Sequence, residues 1–389
     1  GLVDADPTEV RLCYPGTLDP DLVTGKIVLC DRGEIARVDK SLAVFQAGGV
    51  GSILANANVG DSLNADFHSV PTVHVDKASG DAIRDYIAAD PTPTAEIFPS
   101  YFAPVDAPFI AGFSSRGPLL AGDGNLLKPD VSAPGVDVIA AVAPPDNGGE
   151  DFASYSGTSM ASPHVAGLAA LLMDLHPEWS PMMIKSALMT TGYDLLSGAD
   201  PFAQGAGHVD PNRAADPGLV YDSGWNDWIE FLFGDEPSNL NIASFAIGVL
   251  PGSKTLTRTV TSVGDSSETY EFSASVPGVD VVASPSSFTI EPGESVTYEV
   301  TFTANGAPFN EYATGFVTWT GDNGHVVRSP VAVRPTALLS PATVEGEVDG
   351  NGDGSVEIPV DFYYTGTYNA ALEGFAEEFT LLTGTLSPA

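Results

Sequence analysis

Residues 157–167 read Gly-Thr-Ser-Met-Ala-Ser-Pro-His-Val-Ala-Gly, and this string decides the fold of the segment around it. Small and apolar residues continue from Ser159 to Leu175, which predicts a long helix. Small side chains let neighbouring backbone approach closely, so we expect this helix to be buried on most sides. Ser159 falls in its first turn, where backbone N–H groups lack intrahelical partners and the helix dipole is positive. An oxyanion would be stabilised there, although a serine at a helix start is more often only a cap.

The whole eleven-residue string resembles the nucleophile motif of the subtilisin-like serine endopeptidases, the subtilases. Flanking stretches match the same family: Phe113–Pro118 (FSSRGP), Lys128–Gly135 (KPDVSAPG), Gly205–Asp210 (GAGHVD) and Pro217–Asp222 (PGLVYD). The resemblance implies an α/β catalytic domain, present here as its C-terminal part, that acts on protein or peptide substrates. It also implies that Ser159 is the nucleophile and that Thr158 supports the oxyanion site.

The resemblance leaves the partners of Ser159 unaccounted for. In subtilisin the triad follows the order Asp, His, Ser, so the base lies upstream of the nucleophile. Upstream of Ser159 the chain has only His68 and His74, and neither is followed by Gly-Thr. His164 lies five residues further along the helix, which turns it by about 500° and raises it by ~7.5 Å, so it cannot face the hydroxyl.

The tripeptide His-Gly-Thr does not occur in this sequence, and no stretch of it resembles the family's catalytic-Asp or oxyanion-hole Asn motifs. The chain starts at Gly1 without a signal-peptide pattern. We therefore expect it to be the C-terminal portion of a longer polypeptide whose catalytic Asp and His lie outside it. A serine hydroxyl without a base is a weak nucleophile, so this chain alone should be inactive.

Residues 10–98 alternate short apolar runs with helical stretches. The pattern predicts strands at Lys26–Cys30, Val50–Ala55 and Pro71–Val75, and helices at Ser41–Ala47 and Gly80–Ala89. Three stretches resemble the protease-associated domain that many subtilases carry as an insertion: Gly25–Gly33, Ala47–Asn56 and Val70–Val75. We assign residues 1–103 to this mixed α/β domain and its connector. A homodimer formed through this domain is a candidate assembly.

The remaining chain divides into three further parts, so the predicted fold class is multidomain. Residues 104–236 form the C-terminal part of the catalytic domain, with strands at Phe109–Phe113 and Val136–Val142 and a helix at Met182–Thr191 capped by Ser180 and Pro181. Residues 237–335 alternate as an all-β sandwich, and Thr257–Gly264 resembles the start of a fibronectin type III-like domain. Residues 336–389 look like part of another β-module.

The sandwich strands are predicted from alternation and Gly/Pro turns at Thr255–Val263, Thr269–Ser275, Val279–Ala283, Ser295–Phe302 and Gly315–Thr320.

Two smaller features leave alternatives open. Cys13 and Cys30 are the only cysteines, and they form either a disulfide or two free thiols; without further ligands they do not make a metal site. Asp349, Asn351 and Asp353 alternate with glycines as in a Ca²⁺ loop, but Val360 stands where an EF-hand has Glu. A plain hairpin turn is the favoured interpretation, a weak Ca²⁺ site the alternative, and no cofactor is required.

The charge balance excludes several classes of partner. Asp and Glu total 51 and Lys and Arg total 15, which gives a net charge of −36. Such a polyanion repels nucleic acid and anionic lipid, and no apolar run is long enough to span a membrane. We expect a secreted protein, and the lack of Asn-x-Ser/Thr sequons favours a bacterial source over a glycosylated eukaryotic one. The alternative function is a non-catalytic protein-binding or adhesive module derived from a degenerate subtilase.

Overall fold

The computed structural model describes residues 1–59, 62–99, 107–146, 149–198, 200–234, 236–341, 343, 345, 358–369 and 383–386. These residues form two compact units. One comprises residues 1–115 and 133–167, and the other comprises residues 116–132 and 168–389. The predicted boundaries at residues 103, 236 and 335 stay predictions.

The first unit starts with two short helices, α1 (Pro7–Arg11) and α2 (Pro20–Val23). A sheet of three parallel strands follows in the order β1-β2-β3, and two longer helices connect or follow its strands. Its elements are β1 (Ile27–Asp31), α3 (Arg37–Gln46), β2 (Gly51–Ala55), β3 (Thr72–Val75) and α4 (Lys77–Ala89). All three strands and both longer helices confirm the sequence prediction, with α3 and α4 beginning earlier than expected.

A disulfide and a buried lysine join the loops around this sheet. Cys13 and Cys30 are bonded to each other, which settles the open alternative in the structure, and both are fully buried. Beside them, Lys40 of α3 is 1 % exposed and donates hydrogen bonds from Nζ to the carbonyls of Leu12 and Gly33. Burial lowers the pKa of Lys40 to about 8, partly offset by the charges of nearby acidic groups.

The rest of the first unit leads to the predicted nucleophile. An antiparallel hairpin, β4 (Val138–Ala141) with β5 (Phe152–Tyr155), precedes α5 (Thr158–Leu175), whose last eight residues belong to the second unit. The expected strand at Phe109–Phe113 is wrong, since no strand forms there. Pro108 and Gly112 border or interrupt this apolar run, and no described strand pairs with it.

The second unit continues from the end of α5 with shorter helices and a β-sandwich. The helices are α6 (Pro181–Thr190), α7 (Pro201–Gln204), α8 (Pro211–Ala214) and α9 (Trp225–Phe233). Ser180 caps α6 as predicted, because its Oγ accepts from the Met183 N–H at 3.1 Å and Pro181 is the first helical residue.

The sandwich has one sheet of four strands and one of five. The four-stranded sheet has the order β10-β12-β8-β6 and the five-stranded sheet the order β11-β9-β13-β14-β7. The strands are β6 (Leu219–Tyr221), β7 (Phe245–Leu250), β8 (Ser253–Ser262), β9 (Glu268–Ser275), β10 (Val279–Ser284), β11 (Ser287–Ile290), β12 (Ser295–Ala304), β13 (Ala313–Gly321) and β14 (Val326–Pro335). The five predicted strands are confirmed, while β6, β7, β11 and β14 were not predicted.

Apolar and aromatic side chains from both sheets fill the sandwich. Trp319 of β13 is fully buried and meets Phe272 and Tyr298 edge-on at centroid distances of 5.1 and 5.0 Å. Arg258 of β8 is 2 % exposed, stacks on the Phe245 ring and donates to the carbonyls of Ser238 and Ser244. The backbone of residues 238–244 is thereby fastened to the sandwich.

Beyond residue 335, four short strands are described: β15 (Leu338–Leu339), β16 (Asp361–Phe362), β17 (Gly366–Asn369) and β18 (Thr383–Leu386). They pair as β15-β16 and β17-β18. The candidate Ca²⁺ residues Asp349, Asn351 and Asp353 lie outside the described residues. None of the described helices combines the length and apolar character that a bilayer crossing requires.

The disulfide gives a testable expectation for the N-terminal segment. Replacing both cysteines by serine, Cys13→Ser with Cys30→Ser, should destabilise this segment by about 3 kcal/mol, because the closed loop restricts the unfolded chain. Urea unfolding followed by hydrogen exchange of β1–β3 measures the change. Alkylation without reductant should leave the wild-type mass unchanged; two adducts under those conditions would show that the thiols are free.

Candidate functional site

The turn before α5 is fixed by a backbone hydrogen bond to the segment that precedes the β4-β5 hairpin. The Gly157 N–H donates to the Gly135 carbonyl at 2.7 Å. The Met160 N–H then donates back to the Gly157 carbonyl at 3.0 Å, which starts the helix. Residues 128–135 and residues 157–167 both resemble the same family in sequence. In the structure, Gly135 of the first stretch is in direct contact with Gly157 of the second.

Asp137 braces the same turn from the side. Its N–H donates to Ser156 Oγ at 2.8 Å, and the Ser156 hydroxyl donates to Asp137 Oδ1 at 3.1 Å. The same carboxylate oxygen accepts the Ala65 N–H at 3.0 Å. Asp137 has φ 51°, a left-handed conformation that Asp tolerates better than most residues. Sequence reasoning missed Asp137 and Ser156; an Asp directly after Pro-Gly-Val carries only a weak turn signal.

Ser159 is the second residue of α5, and both Ser159 and Thr158 before it are exposed. The Ser159 hydroxyl has no hydrogen-bond partner among the described residues. The first-turn N–H groups of a helix lack intrahelical acceptors, so the N–H of Ser159 can serve an incoming oxygen. Pro163, four residues on, has no N–H to donate to the Ser159 carbonyl. The structure thus presents a serine with a free hydroxyl at the positive end of an 18-residue helix.

None of the six histidines pairs with Ser159. Each has another partner: Ser41 for His68, Asn56 and Asn64 for His74, the Met160 carbonyl for His164, the Ala215 carbonyl for His176, the Val209 carbonyl for His208, and Glu268 with Asp216 for His325. Burial lowers the pKa values of His68 and His74, because it disfavours the charged form of each ring. These contacts agree with the interpretation that His68 and His74 have structural roles and that His164 does not face the Ser159 hydroxyl.

The expectation that α5 is buried on most sides is wrong for the described chain. Only Leu172 is buried, while Leu171, Met173 and Leu175 are 67 %, 60 % and 57 % exposed. Small residues along a helix permit close packing but do not supply the neighbour that packs. A helix this apolar exposes a surface that soluble proteins normally cover.

Two family-matched stretches, residues 128–132 and 205–210, contact each other, and we call this contact the joint. The Ala206 N–H donates to the Asp130 carbonyl at 2.9 Å, and the Val209 N–H donates to the Ser132 carbonyl at 2.9 Å. Asp130 also pairs with Lys128 and Lys185 at 2.5 and 3.0 Å. Residues 128–132 and 205–210, which matched the family separately, are thus joined by backbone hydrogen bonds.

No group of three or more metal-ligating side chains occurs among the described residues. Around residues 135–160, the described groups that can bind a ligand are backbone N–H groups, hydroxyls and carboxylates.

Comparison with known proteins identifies two domains. Residues 41–207 match the subtilase family, and residues 239–333 match a fibronectin type-III domain. Three similar proteins are the subtilisin-like proteases SBT1.7, SBT1.4 and SBT5.4 of Arabidopsis thaliana, at 42 %, 42 % and 36 % identity. The matches cover 85 %, 83 % and 86 % of this chain but 50 %, 49 % and 48 % of those proteins. The chain spans about half the length of these relatives, and their plant source gives no support to the bacterial origin expected from the sequence.

Among solved structures, a psychrophilic subtilisin-like protease, Apa1, from an Antarctic Pseudoalteromonas is 20 % identical over 50 % of this chain and 36 % of that one. The TM-score is 0.21, so this likeness carries no argument about the fold.

The joint between the motif stretches predicts a sensitive position. Gly207 has φ 124°, and a Cβ there would lie 2.4 Å from the Tyr193 carbonyl oxygen. Gly207→Ala should therefore destabilise the second unit by about 3 kcal/mol or more, since backbone strain and a backbone clash add. Gly264→Ala is the control, because a Cβ at Gly264 meets nothing within 4 Å. Guanidinium unfolding of both variants measures the difference, and equal midpoints would contradict the tight joint.

Proposed function

Since this chain carries a subtilase domain followed by a fibronectin type-III domain, we propose that it is the C-terminal portion of a secreted serine endopeptidase with Ser159 as its nucleophile. The observation that carries the proposal is the presentation of Ser159. Its hydroxyl is exposed at the start of α5, and the turn before it is held by Gly135, Asp137 and Ser156. A fixed turn keeps a nucleophile in one orientation, which is the condition for attack on a bound carbonyl.

The proposed reaction is acyl transfer to Ser159 and then to water. Ser159 Oγ attacks the scissile carbonyl while a histidine from outside this chain takes the hydroxyl proton. An aspartate, also outside this chain, orients that histidine. The N–H of Ser159 donates to the oxygen that becomes negative, with the positive end of α5 behind it and Thr158 beside it. Collapse of the intermediate expels the amine, which receives the proton from the histidine.

We propose that this chain alone does not perform the reaction. All six histidines already have other partners, so none is available to take the proton of Ser159. In subtilisin, loss of the catalytic histidine lowers turnover by about 2 × 10⁶. The exposed apolar face of α5 supports the same view, because residues from outside this chain would cover it in the complete catalytic domain.

We further propose that residues 1–103 are a protease-associated domain and form a homodimer. The parallel sheet β1–β3 with α3 and α4 supports the assignment. Val38, Leu42 and Phe45 lie on one side of α3 and are 38 %, 38 % and 59 % exposed, which offers a self-complementary apolar surface. An extracellular location fits the net charge of −36 and the disulfide.

The dimer is tested by sedimentation velocity at 150 mM salt or above, where repulsion between two polyanions is screened. The wild-type chain should sediment as a dimer at micromolar concentration and Phe45→Asp as a monomer. Leu22→Asp, at a residue of α2 that is 65 % exposed, is the matched control and should remain dimeric. A wild-type chain that stays monomeric throughout would rule the dimer out.

The inactivity of the isolated chain is tested with a fluorophosphonate probe, which reacts with activated serines. The 389-residue chain should be labelled no faster than its Ser159→Ala variant. A longer form of the protein that supplies the upstream histidine should be labelled at Ser159. Strong labelling of Ser159 in the isolated chain would refute the missing-base account. A longer form that is never labelled would favour the binding-module alternative.

A further inference from the structure

His325 lies between two carboxylates that come from different stretches of the chain. It occupies the turn that joins β13 to β14. Its Nδ1 is 2.6 Å from Glu268 Oε2 and its Nε2 is 3.1 Å from Asp216 Oδ1. A neutral imidazole has one N–H and can donate to only one of these oxygens, whereas the imidazolium donates to both. The geometry therefore fits the protonated ring.

The two carboxylates are held in different ways. Glu268, at the start of β9, has a side chain only 4 % exposed, and it also accepts from the Tyr270 hydroxyl at 2.6 Å and from the Asn323 N–H at 3.1 Å. Asp216 follows α8 and its side chain is 70 % exposed. Glu268 is thus a fixed partner within the sandwich, and Asp216 is a partner that can leave.

Other charged groups face the cluster from each neighbouring element. Arg213 of α8 lines the same small cavity as Asp216 and His325, and Asp322 lies in the turn before His325. Tyr270 stays protonated, because burial and the Glu268 carboxylate both raise its pKa. Three acidic groups against one arginine leave a negative site around the ring, which favours a cation at its centre.

The cluster lies at the stretch of chain between the two family matches, and we call residues 211–218 the junction. Asp216 and Gly218 lie between the subtilase match, which ends at residue 207, and the fibronectin type-III match, which starts at residue 239. A Cβ at Gly218 would lie 2.7 Å from His325 Cβ and 2.4 Å from the Tyr270 hydroxyl oxygen. The backbone at residue 218 is therefore in direct contact with the cluster.

We propose that His325, held between Asp216 and Glu268, is a pH-operated latch that fastens residues 211–218 to the sandwich in mildly acidic solution and loosens them as the pH rises. The proposal concerns regulation of the junction and does not depend on peptidase activity. It assigns a role to three residues that the proposed reaction leaves unused.

The direction of the pH effect follows from the surroundings of the ring. Partial burial lowers the pKa of His325, but the hydrogen bonds to Glu268 and Asp216 and their charges raise it by more, so it lies above the ordinary 6.5. A folded-state pKa above the unfolded value stabilises the fold fully below the unfolded pKa. That stabilisation is lost as the pH rises through the folded pKa.

The test follows the ring and the junction separately in the full 389-residue chain. Chain labelled with ¹³C in its histidines should show His325 titrating above 6.5 by NMR, and Asp216→Asn should move that titration downward. Hydrogen exchange of residues 213–219, corrected for intrinsic rates, should rise severalfold between pH 6 and pH 8 in wild type. Each unit of pKa difference corresponds to roughly tenfold in the opening equilibrium.

Matched variants separate a latch from a merely structural contact. In Asp216→Asn and His325→Gln, exchange of residues 213–219 should no longer depend on pH beyond the intrinsic rate. His164→Gln, which removes a histidine whose ring bonds the Met160 carbonyl, should keep the wild-type dependence. Asp216→Asn alters an exposed side chain, so it remains informative if His325→Gln fails to fold. Titration of His325 at or below 6.5, or unchanged pH dependence in Asp216→Asn, would overturn the proposal.

Discussion

The pairing of β6 with β8 is the constraint on which the second unit depends. Leu219, Val220 and Tyr221 are 0 %, 0 % and 1 % exposed, and they add a fourth strand to the sheet β10-β12-β8-β6. The Tyr221 hydroxyl meets the Tyr298 hydroxyl at 2.7 Å inside the sandwich. Because buried hydroxyls that lose a partner cost free energy, this strand cannot leave the sandwich without leaving polar groups unsatisfied. The stretch that follows the subtilase match is therefore a structural part of the domain that comes after it.

The position of Ser159, the proposed nucleophile, depends on a second, smaller constraint. The turn before it is held by one backbone hydrogen bond between Gly157 and Gly135 and by the carboxylate of Asp137. None of these contacts involves a histidine, so they form whether or not a base is present. Position and activation of Ser159 are thus separable: this chain contains what orients the serine and lacks a histidine paired with it. The contacts that orient Ser159 do not use the apolar side chains of α5. The turn before Ser159 is therefore held in place although those side chains are exposed.

Much of the architecture could be predicted from the sequence because its signals are local. Alternation and turn residues predicted β8 and β12, and the Ser180-Pro181 start predicted α6. The missed strands β6 and β14 are buried along most of their length, so they lack the alternation that identifies a half-exposed strand. Burial of α5 was predicted wrongly, since it depends on neighbours and not on the helix itself. The bracing by Asp137 and the cluster at His325 join residues far apart in the chain, and no single-sequence pattern encodes such contacts.

We propose that Ser159 belongs to a triad completed by residues upstream of Gly1. The most direct measurement is the sequence of the transcript upstream of the Gly1 codon. We expect an uninterrupted reading frame that contains Asp-x-Gly and, closer to this chain, His-Gly-Thr. A start codon directly before Gly1, preceded by an in-frame stop, would contradict it.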